Sequence, residues 1–162
     1  MQKKATEPRR ALTARLDELM PIIEERLQAG QSVEIYPRGK SMRPLLREGR
    51  DSVVLSAPPS ALRENDIVLF LYQDKYVLHR LISKTHDGNY VFCGDRRSAF
   101  ECAAYEQIVA VVTEIKRNGQ TVRTDTASHR AYLALLKIKR RVRYLWYRIK
   151  RRMARTWRKT TK

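Results

Sequence analysis

The sequence predicts a mainly β body, a coiled or barrel-like antiparallel sheet, with an amphipathic helix before it and a long basic helix after it. Three observations lead there. Between residues 31 and 124, short apolar or alternating runs are separated by turn signals such as Asn65-Asp66, Asp87-Gly88 and Asn118-Gly119. This is the spacing of hairpins and not of strand–helix–strand units. Helical periodicity occurs only outside that stretch. Charge is also segregated. The 162 residues carry a formal net charge of +17, yet residues 126–162 hold 14 Lys/Arg and no acid, while 1–125 hold 20 basic against 17 acidic residues. The chain therefore divides into an N-terminal helix (1–30), a near-neutral β domain (31–125) and a basic helical tail (126–162).

Taken in order, residues 8–29 place Leu12, Leu16, Leu19, Met20, Ile23 and Leu27 on one helical face. Pro21 is expected to kink or split this helix, and Gly30 to end it. The apolar face suits packing on the body better than on a membrane surface. Val33 and Ile35 then alternate with polar neighbours as a first strand. Residues 52–55, the apolar run 67–72, 76–84, 90–93, 108–115 and 121–123 supply the others, about seven in all. From Ser128, the residues Leu135, Ile138, Val142, Leu145 and Ile149 keep helical spacing, and Thr126 or Ser128 can cap the start. A helix reaching Arg158 would be roughly 45 Å long, more than a small body can cover.

Several function classes lose support at this level. Cys93 and Cys102 match no common zinc or redox spacing, and His86 and His129 have no partners at metal-ligand spacing, so neither metal nor cofactor is expected. No run approaches the apolar length of a membrane span. Met1-Gln2-Lys3-Lys4 leads into no apolar signal core, which points to a cytoplasmic location.

One stretch, Gly39-Lys40-Ser41-Met42-Arg43-Pro44, sets a single hydroxyl between two backbone punctuators. By itself it reads equally as a turn. Further along, Val77-Leu78-His79-Arg80-Leu81-Ile82 places a histidine on a strand between apolar same-face neighbours. Arg80 faces the other way and is given a structural role.

Together with Pro44-Leu45-Leu46, Leu62-x-x-Asn65-Asp66-Ile67-Val68, Gly94-Asp95 and Val109-Ala110-Val111-Val112, these segments resemble, in order, the motifs of the signal peptidase I and LexA-like serine peptidases. The resemblance spans about residues 33–115. It departs from bacterial signal peptidase I and LexA at His79, where those proteins carry lysine. Histidine there is similar to the archaeal-type, spore-former and endoplasmic-reticulum signal peptidases. The transmembrane anchor of the secretory enzymes has no counterpart in the sequence. The resemblance implies a Ser41–His79 dyad cutting a peptide or precursor protein bound as an extended segment, with small side chains before the cleaved bond.

The implied chemistry is coherent. A serine hydroxyl needs a neighbour to take its proton, and imidazole suits that task near neutrality. A histidine base in turn needs an acceptor to fix its tautomer. Asp95 in the Gly-Asp element and Glu101 six residues on are both open for that role, with Asp95 placed first. Gly39, Met42 and Pro44 are expected around the cleft, and the Ser41 N–H with a donor from 38–40 in the oxyanion hole. Lys40 is set aside as a base, because adjacent side chains on an extended chain diverge.

The tail mixes cations with aromatic residues. Lys137, Arg140, Arg141, Trp146, Arg148, Arg151, Arg152 and Trp157 are the expected contacts to an anionic membrane surface. Nucleic acid offers the same charge attraction but finds no base-reading motif here. The leading expectation is a limited-cleavage serine endopeptidase, peripheral at the inner face of the membrane. The alternative is a non-catalytic binding or regulatory module on the same scaffold. Self-cleavage at Gln28-Ala29-Gly30-Gln31, in the LexA manner, ranks last.

Overall fold

The structure, a computed structural model, describes residues 16–124 and 126–142. Helix α1 spans Leu16–Gln28 and is followed by strands β1 (Val33–Ile35), β2 (Asp51–Ser56), β3 (Ile67–Tyr72), β4 (Lys75–Lys84), β5 (Tyr90–Cys93), β6 (Glu101–Ala103), β7 (Ile108–Arg117) and β8 (Gln120–Thr121). Residues 127–142 form a second helix, α2. The expected parts of both helices at 8–15 and beyond 142, with Leu12, Trp146, Arg148, Arg151, Arg152 and Trp157, lie outside the described residues. Among the described residues no helix is long and apolar enough to cross a membrane.

The fold is mainly β, as expected. All pairings are antiparallel, in the order β1-β2-β7-β3-β4-β5-β6, with β8 on β7. Register breaks at Val54/Leu55, Leu69/Phe70 and Leu81/Ser83 bend the ladders. The sheet curls enough for β6 to contact β3, although two strands separate them in the order. Tight turns set the hairpins. Gln73 and Asp74 between β3 and β4, and Asn118 and Gly119 between β7 and β8, all take positive φ, the conformation that two-residue hairpin loops require.

The unbroken apolar run of β3 has a simple cause: both faces of the strand are covered. Ile67 and Leu69 enter one cluster with Met20, Ile23 and Leu27 of α1, Met42, Leu45 and Leu46 of the 36–50 loop, and Val53 and Leu55. Val68 and Phe70 enter a second with Leu81, Tyr90, Phe92, Ala103 and Ile108. Phe70 stacks on Phe92 at 4.2 Å between ring centroids. Helix α1 thus packs on the body, and it runs unbroken through Pro21. Proline removes one intrahelical hydrogen bond, but Met20, Ile23 and Leu27 hold the segment by burial on the opposite side.

Strand β6 and the 3-10 turn Tyr105–Gln107 were not expected from the sequence. The last strand is shorter than the expected 121–123, ending at Thr121.

Candidate active site

The 36–50 loop is fixed through its apolar middle and at its C-terminal base. Its apolar residues Met42, Leu45 and Leu46 are buried in the first core cluster. Its base is closed by Asp51, fully buried, which accepts from the Arg47 N–H, from the Arg50 guanidinium and from Arg117 Nε. Arg117 also donates to the Leu45 carbonyl. Burial alone would raise the Asp51 carboxyl, but the hydrogen bonds from Arg50, Arg117 and the Arg47 amide outweigh it and hold it down at about 2. Gly39, at φ 95°, donates its N–H to Glu48. Among the described residues the Lys40 and Ser41 amides carry no such bond.

Ser41 is held from the far side. Its carbonyl accepts the Arg96 N–H at 2.8 Å. The segment after β5 therefore lies against the serine, and Gly94 is its point of closest approach. A Cβ on Gly94 would sit 2.9 Å from the Ser41 carbonyl oxygen and 2.9 Å from His79 Nε2. The serine backbone and the imidazole thus meet across a glycine, at most twice that distance apart, in a gap that no larger residue fits.

His79 projects from β4 opposite Val68 and between Val77 and Leu81, on the face of the second cluster. Its Nδ1 lies 3.1 Å from Glu101 Oε2. Both residues are buried. The register explains the meeting. Leu81, Phe92 and Glu101 form a row across β4, β5 and β6, so Glu101 shares the face of Leu81, and His79 lies two positions from Leu81 on that face. With Nδ1 committed to the carboxylate, Nε2 is the nitrogen turned toward Gly94 and the serine loop.

The expectation that Asp95 orients His79 is corrected. Asp95 serves the opposite face of β4. Arg80 clamps it with both Nε (2.9 Å) and Nη2 (2.7 Å), Tyr132 of α2 donates its hydroxyl at 2.7 Å, and Arg140 of α2 donates at 3.3 Å. Arg80 also donates to the Asn65 carbonyl. The cause is strand alternation: His79 and Arg80 point to opposite sides, and Asp95 follows Arg80. Burial first, then the charge and hydrogen bond of Asp95, push the Tyr132 hydroxyl upward. Glu101, placed second for orienting His79, is the acid that meets it, and is buried beside it.

Ser41, Gly39, Met42, His79 and Glu101 line one cleft of about 450 Å³, with Arg38, Glu48, Lys75 and Arg97 among the other walls. Met42 serves both the cleft and the core. Pro44 is exposed and is not among the lining residues. Among the described residues Ser41 Oγ makes no hydrogen bond to His79. Of the expected tail contacts, Lys137 is exposed and 3.6 Å from Glu64, Arg141 is exposed, and Arg140 turns inward to Asp95, which removes it from any outward-facing surface. Among the described residues no group of three His, Cys, Asp or Glu side chains is placed to hold a metal ion.

Gly94 and Asp51 carry more of the site than the sequence suggested. The Gly94-Asp95 pair was visible as a motif, but the reason for its glycine is a close approach that only three dimensions reveal. In comparisons with known proteins, no family model and no curated protein matches this chain.

Proposed function

We propose that the cleft is the active site of a serine endopeptidase of the signal peptidase I and LexA-like type, making a limited cut in a peptide or precursor protein. The observation that carries this reading is the buried His79–Glu101 pair, with Nε2 facing the Ser41 loop across Gly94. In the proposed reaction Ser41 Oγ attacks the scissile carbonyl carbon as His79 Nε2 takes the hydroxyl proton. Glu101 holds the Nδ1–H tautomer and stabilises the imidazolium. The Lys40 and Ser41 amides, which make no hydrogen bond among the described residues, are the proposed donors to the developing oxyanion. His79 then passes the proton to the leaving amine. An acyl-Ser41 ester remains, which water, deprotonated in turn by His79, hydrolyses to free acid and serine.

The missing Ser41–His79 hydrogen bond favours a second reading, a peptidase scaffold used only for binding. Catalytic contacts that tighten only with substrate present account for it under the first. A serine-reactive phosphonate, read by intact mass, separates the two. The peptidase reading expects one adduct on the wild type and none on Ser41→Ala or His79→Ala. Absence of any adduct on the wild type across several reagent chemistries supports the binding module instead.

A further inference from the structure

Helix α2 presents two different faces. Tyr132, Leu136 and Arg140 turn to the body, where Leu136 is buried and the other two reach Asp95. On the other side Leu135, Ile138 and Val142 are 65%, 58% and 52% exposed. Their spacing of three and four residues puts them in one stripe along the helix. Helical burial of apolar side chains normally runs toward the core, so three large aliphatic residues in one outward row are a surface awaiting a partner.

We propose that this outward face of α2 docks on an anionic lipid surface, with Leu135, Ile138 and Val142 entering the headgroup–acyl boundary. Charge complementarity selects that partner. Lys137, Lys139 and Arg141 are exposed around the stripe, and residues 126–162 hold 14 Lys/Arg without an acid. Leu145 and Ile149 keep the same spacing further along the sequence. A second copy of the chain would bring two strongly cationic segments together without an anion between them. A nucleic acid would satisfy the cations and leave the aliphatic stripe in water. An interface of anionic headgroups over acyl chains satisfies both. The lipid face differs from the set read off the sequence, because Arg140 is engaged at Asp95 and takes no part.

The test uses the full chain and vesicles of phosphatidylcholine alone or with about one third phosphatidylglycerol. The wild type is expected to co-sediment with the anionic vesicles at least about tenfold more tightly than with the neutral ones, and to lose binding as salt screens the headgroups. Replacing Leu135, Ile138 and Val142 together by serine is expected to weaken anionic binding at least about tenfold while leaving the thermal melt unchanged, since all three are exposed. The single Ile138→Glu change gives the same answer with less perturbation of the helix. Wild-type failure on anionic vesicles overturns the proposal. So does undiminished binding of both variants, which would leave charge alone as the cause. Loss of a dimer, or of duplex DNA binding, in the variants without loss of lipid binding assigns the stripe to those partners instead. Because Ser41→Ala leaves α2 untouched, its vesicle binding stays at the wild-type level whether or not the cleft is catalytic.

Discussion

Two carboxylates six residues apart have opposite jobs, and the difference comes from which side of β4 each one reaches. Glu101 meets His79 Nδ1, and Asp95 binds Arg80, Tyr132 and Arg140. Their substitutions should therefore separate. Glu101→Gln keeps the volume but loses the anionic acceptor, and phosphonate labelling of Ser41 is expected to slow by about 10²-fold or more with the melt little changed. Asp95→Asn leaves buried arginine charge without its partner and is expected to cost about 3 kcal/mol, seen in denaturant unfolding, while the pH profile of labelling keeps its shape. Gly94→Ala isolates the close approach. Its added methyl must displace either His79 Nε2 or the Ser41 carbonyl, so labelling is expected to fall by about 10²-fold. Wild-type labelling of that variant would show that the two groups need not stay so near.

At the scale of elements, the sequence was most legible where the physics is local. Turn pairs and apolar runs located β3, β4, β5 and the 118–119 hairpin closely, because positive-φ residues and burial on both faces leave compositional marks. Strand β6 left none. Glu-Cys-Ala is three residues long with no β-branched or aromatic side chain, and it is a strand only because β5 offers it an edge. Missing β6 meant missing the row Leu81–Phe92–Glu101, and so the reason to place Glu101 ahead of Asp95 beside His79. The same non-local logic governs the 36–50 loop, whose anchor is Asp51 bridging to Arg117 from the far end of β7. The Asp51 carboxyl lies at about 2 against an ordinary 3.8. A depressed acid stabilises the fold fully above its unfolded value and loses that contribution as pH falls through its folded one. Between about pH 4 and about pH 2, the wild type should therefore lose stability that Asp51→Asn lacks at every pH. Parallel acid melts of the two proteins check this, and identical slopes in that window would refute it.

At the scale of the whole molecule, the basic tail begins as part of the body. The sequence set 126–162 apart as a basic helical tail, on its charge and its helical periodicity. Yet Leu136 is buried, and Tyr132 and Arg140 complete the shell around Asp95, next in the chain to Gly94, where histidine and serine meet. Periodicity could show that α2 has an apolar stripe, but not that a second set of residues, one of them an arginine, faces inward. Removing residues 126–162 is accordingly expected to lower stability as well as any surface binding, by exposing Arg80 and Asp95. Tyr132→Phe, which deletes one hydrogen bond to a charged acceptor, is expected to cost about 1.5 kcal/mol in unfolding and to raise hydrogen exchange in α2.

The central claim is that His79, held by Glu101, serves as the base for Ser41. The most direct measurement is the rate of phosphonate labelling of Ser41 at neutral pH for the wild type, His79→Ala and Glu101→Gln. A base at His79 held by Glu101 predicts a rate lower by about 10²-fold or more in each variant. A labelling rate that is the same in the wild type and in His79→Ala would contradict it.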